Sequence, residues 1–365
     1  ALRGATRCLD NVKALQIEVN YKQLYEGCAL ISEIDEFLAK YNFIRIHTQT
    51  PYSETWGDAL YVRRPMVGCT SLGTMGRFAN SLFQYIFIHT YARDMDYTPV
   101  HQMWSGDDIF NVKPGTVSPP MLPNKVEESG FEFKDSSITG DPKPRPACDF
   151  SGFFQYQTRY YLPHQEMIRD HLTFKGIYAK RCDQIRALFD AQPGPVITAH
   201  LRRGDFGTGL FFIAPEVWYL EWLSTLREEH PELSVYIASD DIDAVKSAFS
   251  DYPLLTEADL PKSELAHDFA TDFIALTQGD GIAISNSSFS FAASMLNTRA
   301  KIFVRPVLER ERLESFDPWN SPVLLRGIEA EDIGEHVMSK KAMGRSKYRK
   351  VKLKKMLKWR WNFIS

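Results

Sequence analysis

The sequence predicts an α/β protein whose principal sheet is parallel and carries helices on both faces. Short apolar stretches typical of strands alternate with helical patterns through residues 195–310. Alternation of this kind is typical of a doubly wound sheet. Three polar clusters, HLRRGD, SDD and SNSS, each come directly after one of the predicted strands. Because ligands bind at the carboxyl ends of the strands in such sheets, these clusters mark the expected site.

The first half of the chain has a more varied pattern. Residues 1–64 alternate helix-like and strand-like pieces, which predicts a small N-terminal α/β fragment. Apolar residues then recur at helical spacing from Phe78 to Met95, which predicts a long, buried helix. Residues 111–148 are rich in Pro, Gly and Ser and are expected to form loops or irregular strands. A helical pattern returns from SGFFQYQTRYY onwards.

The turn AQPGP divides the rest of the chain into two lobes. The first lobe is expected at about 67–192 and the second at about 193–335, so that one domain covers 67–335. Residues 336–365 form a tail that is rich in Lys and Arg.

The composition describes a folded protein that is neither a nucleic-acid binder nor a membrane-spanning protein. The 365 residues are 44% hydrophobic, enough for one large or two modest cores. The net charge of -3 argues against general nucleic-acid binding, which needs an excess of Lys and Arg. The five cysteines are scattered and lack CxxC spacing, so we expect a reducing, cytoplasmic compartment. No apolar stretch is long enough to span a bilayer.

The HLRRGD cluster places His200, Arg202, Arg203 and Asp205 on the loop that follows a buried strand. Two adjacent guanidinium groups offer forked, permanently charged donors that suit a diphosphate. They would also stabilise the negative charge on a departing nucleotide. The alternative is a purely structural network of Arg and Asp side chains at a turn.

The second cluster is a strand that runs into a helix with a Ser-rich first turn, and it contains Asn286, Ser287, Ser288 and Phe289. Ser and Asn are ordinary N-caps, so a structural role explains them when they are taken alone. Helix N-termini also bind phosphate through free backbone N–H groups. With the arginines on the neighbouring loop, a phosphate site is the favoured interpretation.

Asp272 lies one helix and one strand before that loop, so we expect it to face the same crevice. A carboxylate there can accept hydrogen bonds from both the ring N–H and the exocyclic amine of guanine. The alternative is a helix cap or a solvent-facing charge.

The SDDID segment at 239–243 resembles an Asp-rich motif with which some glycosyltransferases hold a divalent metal. The metal-free interpretation is favoured, because the following helix needs caps and the two arginines already supply positive charge.

Five segments, in order along the chain, resemble the α-1,2-fucosyltransferase family, glycosyltransferase family 11, and more remotely the α-1,6- and protein O-fucosyltransferases. They are GRFANSLFQY, SGFFQYQTRYY, HLRRGDF, SDD and NSSFSFAASMLN. The resemblance implies a GT-B-like fold with two Rossmann-like lobes and a cleft between them. It also implies inverting, metal-independent transfer from GDP-fucose to a glycan acceptor, with α-1,2 linkage to galactose and no further cofactor.

The same resemblance implies a role for each residue of the clusters. Arg202 would hold the β-phosphate, His200 and Asp272 would face guanine, and the Ser287 and Ser288 side chains with the Phe289 amide would complete the phosphate site. The first lobe would contribute Gly76, Arg77 and Asn80 to the donor side of the cleft. Asp205 is the candidate general base, or it braces the arginines instead.

Three positions depart from the family pattern. Ser81 stands where the family has Gln, and Phe291 and Ala292 stand where it has two tryptophans. The linkage and the acceptor are therefore open. A transferase of another GDP-sugar, such as GDP-mannose or GDP-rhamnose, and an inactive glycan- or nucleotide-binding module are the alternatives.

Two terminal segments carry separate predictions. Residues 1–64 resemble the C-terminal end of FkbM-type methyltransferases in LRGATRCLDNVKALQIEVN and WGDALYVRR, which implies a remnant of a larger bifunctional protein. The tail has tryptophans among its basic residues, which predicts either peripheral contact with an anionic membrane or a solvated linker.

Overall fold

The protein is described by a computed structural model over residues 2–9, 11–50, 54–117, 119–128, 144–207, 211–262 and 264–325. Within these residues the strands form three sheets of three, four and six strands, in chain order. The four-stranded sheet is entirely parallel, and the six-stranded sheet is parallel apart from one edge strand. The predicted α/β class with a parallel sheet is confirmed.

The N-terminal unit is a small antiparallel sheet with one covering helix. Its elements are α1 (Thr6–Leu9), β1 (Ala14–Asn20), α2 (Ile31–Ala39), β2 (Phe43–Gln49) and β3 (Trp56–Arg63). The strand order is β1-β3-β2, and Val19, Leu38 and Tyr61 are part of its core. A 3-10 turn at Leu2–Gly4 precedes the short helix α1, and Gly4 at its end disfavours a continuous helix through both. The resemblance to a methyltransferase stays a prediction.

The four-stranded sheet belongs to the predicted first lobe. Its region contains β4 (Met66–Cys69), α3 (Phe78–Asp94), β5 (Thr98–His101), α4 (Gly106–Ile109), β6 (Asn124–Glu127) and β7 (Cys148–Ser151). The strand order is β5-β4-β7-β6. The predicted long helix is confirmed as α3, and most of its residues are buried. The described residues between 111 and 148 form only the short strand β6 and the start of β7, as expected from their composition.

The helical pattern predicted from SGFFQYQTRYY onwards is wrong in its first part. The chain leaves β7 in an irregular path and forms only a 3-10 turn at Thr158–Tyr160. Phe154 has a φ of 52°, in the left-handed region that an α-helix cannot include. Its ring stacks on Phe87 of α3 with centroids 3.8 Å apart. Tertiary packing of the aromatic rings therefore overrides the local pattern.

The six-stranded sheet belongs to the predicted second lobe and is preceded by two helices. The elements are α5 (Gln165–His171), α6 (Gly176–Asp190), β8 (Val196–His200), α7 (Glu216–Glu229), β9 (Ser234–Ala238), α8 (Ile242–Val245), β10 (Leu254–Leu255), α9 (Ala270–Leu276), β11 (Gly281–Ala283), α10 (Ser288–Leu296), β12 (Ile302–Val307) and β13 (Arg312–Ser315). The order is β10-β9-β8-β11-β12-β13, and only β13 is antiparallel to its neighbour.

This strand order creates a switch point in the middle of the sheet. From β8 the chain adds β9 and β10 on one side, and it then returns to place β11 on the other side of β8. The loops after β8 and β11 therefore diverge and leave a crevice at the carboxyl ends of these strands. The HLRRGD and SNSS segments are those two loops, so their predicted positions at strand ends are confirmed.

A single hydrophobic cluster joins the four-stranded and six-stranded parts. Phe78 at the start of α3 packs on Phe269 and Phe273 of the second part, with ring centroids 4.5 and 4.9 Å apart. The cluster also contains Phe291 of α10. The start of α3 and the start of α10 are thus held close together, and both flank the crevice.

The predicted tail at 336–365 lies outside the described residues. No helix in the described part of the chain is long and apolar enough to cross a membrane.

Candidate functional site

Arg202 is the central cation of the crevice. Its guanidinium donates to Asp205 Oδ1 at 2.8 Å and lies 3.4 Å from Asp240 Oδ2. The guanidinium carbon is also 5.6 Å from the centre of the Phe206 ring. The side chain is 20% exposed, so the group is held in place but can still contact a ligand.

Arg203 has a different position, although it is the next residue. Its side chain is buried and donates to Glu216 Oε1 at 2.9 Å and to the Arg202 carbonyl at 3.0 Å. Its backbone N–H donates to Asp240 Oδ1 at 2.7 Å. Arg203 therefore anchors the loop to α7, and Arg202 is the one of the two arginines that a ligand in the crevice can reach.

His200 is the last residue of β8 and is buried. Its Nδ1 shares a hydrogen bond of 2.8 Å with the Ser285 hydroxyl, and its ring lies 5.3 Å from that of Phe289. Burial, assisted by the charges of Arg202 and Arg203, lowers the pKa of His200 to about 3. The imidazole is therefore neutral near pH 7 and contributes no cation to the site.

Tyr219 of α7 ties the two loops together, although nothing in the sequence singles it out. Its hydroxyl lies 3.3 Å from the carbonyl oxygen of His200 and 3.1 Å from that of Ile284. These carbonyls stand at the ends of the two central strands. The tyrosine thus fixes the separation of the loops on either side of the switch point.

Asp272 lies in the first turn of α9. Its Oδ1 accepts a hydrogen bond of 2.9 Å from Tyr236 of β9. Burial and the charge of Glu257 raise the pKa of Asp272 to about 7, although hydrogen bonds from Tyr236 and from the Ser239 backbone lower it. Asp272 is thus joined to the loop after β9, beside the loop that carries Arg202.

The N-terminus of α10 is capped from within. The Ser287 hydroxyl accepts from the Phe289 N–H at 3.3 Å, which is an ordinary N-cap. The predicted Phe289 amide is therefore already paired. Ser288 is only partly buried, and its hydroxyl donates to Asn80 Oδ1 at 3.2 Å.

Asn80 connects the two parts of the protein at this point. Its Oδ1 also accepts from Gln155 Nε2 at 2.7 Å, so one amide oxygen joins the loop after β7 to Ser288 of α10. Gly76 packs directly on Asn80: a Cβ at Gly76 would lie 2.1 Å from Asn80 Nδ2. The sequence indicates Gly76 and Asn80, whereas Gln155 was missed because its position inside an aromatic segment gave no signal.

Asn286 is committed to the fold. Its side chain donates to the Leu325 carbonyl and accepts from the Leu325 N–H, both at 2.9 Å, and Arg305 donates to the same Oδ1 at 3.3 Å. These bonds hold the 322–325 segment beside β12. The structure brings Asn286 next to the crevice but occupies the amide, so its predicted contact with the donor is not supported by its geometry.

The Asp205 carboxylate is shared between two arginines. Its Oδ1 accepts from Arg202, and its Oδ2 lies 3.1 Å from Arg77 Nη2. Burial raises the pKa of Asp205, but the hydrogen bond from Arg202 and the charges of Arg202 and Arg77 lower it overall. A carboxylate that is stabilised in its charged form is a weak proton acceptor. The geometry favours the bracing role over that of general base.

The SDD segment is engaged with the arginine loop. Asp240 accepts from the Arg203 backbone and pairs with Arg202, and the Ser239 hydroxyl donates to the Leu201 carbonyl at 2.7 Å. Over the described ranges, no group of three or more His, Cys, Asp or Glu side chains is placed to hold a metal ion.

Two solved structures are similar to this chain at low sequence identity. Selenomethionine fucosyltransferase NodZ from Bradyrhizobium is 11% identical, with a TM-score of 0.45 over 70% of this chain and 99% of its own. A mutant of Arabidopsis thaliana FUT1 in complex with GDP is 11% identical, with a TM-score of 0.43 over 67% of this chain and 70% of its own. A search of curated proteins finds no match.

The family comparison covers the crevice. Residues 146–314 match the model of glycosyl transferase family 11. This range runs from β7 into β13 and includes the arginine loop, Asp272 and the N-terminus of α10. Over this range, the chain is similar to glycosyl transferase family 11.

Proposed function

We propose that the protein is an inverting glycosyltransferase that transfers fucose from GDP-fucose to a glycan hydroxyl, in α-1,2 linkage to galactose. The observation that carries the proposal is the position of Arg202 at the switch point, in a range that matches glycosyl transferase family 11. In this proposal the four-stranded and six-stranded parts are the two lobes of a GT-B-like enzyme. The donor lies in the crevice between the starts of α3 and α10.

Transfer of fucose requires that the negative charge on the leaving group, GDP, be stabilised. The acceptor oxygen attacks the anomeric carbon while the bond from that carbon to the β-phosphate oxygen breaks. The proton of the acceptor hydroxyl passes to solvent water, so the products are the fucosylated acceptor, GDP and one proton. Negative charge grows on GDP as it leaves. Arg202 is fixed by Asp240 and partly exposed, so it can meet this charge without reorganising.

The positive charge comes from the protein in this proposal. Asp240, an acidic group beside the arginines, is already used by the Arg202 side chain and the Arg203 backbone. It therefore serves to hold the arginine loop, and the guanidinium takes the place that a divalent ion has in other transferases.

Recognition of the base is assigned to Asp272. Its carboxylate has one oxygen on Tyr236 and capacity for further donors, which matches the two adjacent donors of guanine. His200 is neutral and buried against Ser285, so we assign it to support of the loop rather than to charge recognition.

Replacement of Arg202 by alanine tests the proposal. We expect Arg202→Ala to reduce fucose transfer from GDP-fucose to a β-galactoside by about 100-fold or more, because it removes a preorganised cation from the leaving group. Transfer is measured as acceptor-dependent release of GDP, and folding is checked by circular dichroism.

Arg312→Ala is the matched control. Arg312 lies on β13 and pairs with Glu314 at 2.7 Å, and its side chain is 60% exposed. Its loss should leave transfer unchanged. If the wild-type protein transfers a sugar from GDP-mannose or GDP-rhamnose and not from GDP-fucose, the donor in the proposal is wrong. Full activity of Arg202→Ala would refute the role of the arginine.

A further inference from the structure

Arg77 and Arg202 approach one carboxylate from two sides of the crevice. Arg202 Nη2 lies 2.8 Å from Asp205 Oδ1, and Arg77 Nη2 lies 3.1 Å from Asp205 Oδ2. Arg77 directly precedes α3 in the first part, whereas Arg202 follows β8 in the second part. The carboxylate thus occupies the point where two guanidinium groups converge.

The two arginines are held to different degrees. Arg202 keeps a second acid, Asp240, which also accepts from the Arg203 backbone at 2.7 Å. In the described part of the chain, Asp205 is the only acid paired with Arg77. Asp240 is thus a lasting anchor for Arg202, and Asp205 can leave without releasing the arginine loop.

The contact between Arg77 and Asp205 is also open to solvent. The Arg77 side chain is 70% exposed and the Asp205 side chain is 54% exposed. Ion pairs with this exposure contribute little to stability, because water and salt compete for both partners. The diphosphate of a nucleotide sugar carries two negative charges, one on each phosphate group, so it binds a pair of guanidinium groups more strongly than a single carboxylate does.

We propose that the donor diphosphate takes the place between Arg77 and Arg202 that the Asp205 carboxylate holds in the structure. Arg77, which the family resemblance already puts on the donor side of the cleft, then contacts phosphate directly. The exchange brings a guanidinium from each side of the crevice onto the leaving group. It deepens the proposed function and rests on it. Asp205 is then a competing anion, and its charge opposes donor binding until the carboxylate has moved away.

The sign of one mutational effect distinguishes this exchange from simple bracing. Asp205→Asn removes the competing charge, so the Kd for GDP should fall about threefold or more. If Asp205 only braced Arg202, the same variant would raise that Kd. Arg77→Ala should raise the Kd about tenfold in wild type and again in the Asp205→Asn background, since it loses a charge-assisted contact with phosphate.

The experiment is isothermal titration of GDP into the whole chain and its variants at one fixed salt concentration. Asp96→Asn is the matched control, because Asp96 forms an exposed pair with Arg64 at 3.2 Å outside the crevice. Its GDP affinity should equal that of wild type. Thermal melting confirms that each variant is folded.

Each outcome has a separate meaning. Weaker GDP binding by Asp205→Asn, or no effect of Arg77→Ala once Asp205 is neutral, overturns the exchange and leaves the proposed function standing. Wild-type protein that binds no GDP overturns the proposed function and the exchange with it.

Discussion

At the scale of single residues, His200 and Asp272 differ in the pH range in which they titrate, although the sequence predicts the same role for both. His200 and Asp272 were both expected to face guanine. Burial lowers the pKa of His200 to about 3 and raises the pKa of Asp272 to about 7, so both groups tend towards their neutral forms. Only Asp272 titrates in the range where an enzyme is assayed, so only Asp272 should make GDP binding depend on pH.

The affinity for GDP should increase with pH up to about 7 and then level off. Below that pH, Asp272 is protonated and can accept fewer hydrogen bonds from guanine. Affinity should fall by about tenfold for each pH unit below the pKa, since one proton must be released on binding. The Kd measured by calorimetry from pH 5.5 to 8.5 checks this.

Asp272→Asn is the control, because its amide does not titrate in this range. The variant should bind GDP more weakly, and the step near pH 7 should be absent. The same pH profile in wild type and variant would assign the step to the phosphates of GDP and contradict the role of Asp272.

At the scale of elements, the contact between the first turns of α3 and α10 requires the backbone at Gly76 to lie close to the Asn80 side chain. Gly76 has a φ of 85°, in the left-handed region, and it leaves room for the Asn80 side chain. Asn80 in turn accepts from Ser288 at the start of α10. The sequence predicted both helices, but it could not predict that their first turns share a hydrogen bond, because the two residues are 208 positions apart.

Gly76→Ala should lower the free energy of unfolding by about 3 kcal/mol. The new Cβ would meet Asn80 Nδ2 at 2.1 Å, and the left-handed φ adds a further cost. Gly176→Ala is the matched control, because Gly176 has a φ of 53° with no atom within 4 Å of its Cβ position. It should lose only about 1 kcal/mol. Urea denaturation measures both, and equal losses would show that the contact with Asn80 is unimportant.

At the scale of the whole molecule, sequence and structure agree most closely in the second part. The regular alternation after AQPGP predicts β8, β9, β11 and β12 and the placement of three polar loops at strand ends, because short parallel strands and covering helices have distinct periods. The two-residue β10 is too short to give such a pattern. The helix predicted after β7 is wrong because aromatic packing, rather than the local pattern, determines the path of the chain there. Asn286 was assigned to the donor because the sequence does not show its bonds to Leu325.

GDP should stabilise the whole protein against heat, and ADP and UDP should do so much less. A ligand at 100 times its Kd adds about 2.7 kcal/mol to the free energy of unfolding. For a protein of this size that is about 3 to 4 °C in Tm. A thermal-shift series with the three nucleotides at equal concentration measures it. Arg202→Ala should lose most of the GDP shift, and equal shifts for all three nucleotides would contradict guanine recognition.

The aromatic packing of Phe78 on Phe269 and Phe273 limits how the enzyme can open. A wide hinge motion would draw these rings into water, and exposing a buried phenylalanine costs roughly 2 kcal/mol. The solvent-facing pair of Arg77 and Asp205 can separate at far less cost. The donor should therefore enter, and GDP should leave, by rearrangement of the exposed side chains of Arg77 and Asp205. The packed aromatic rings below them should stay in contact throughout turnover.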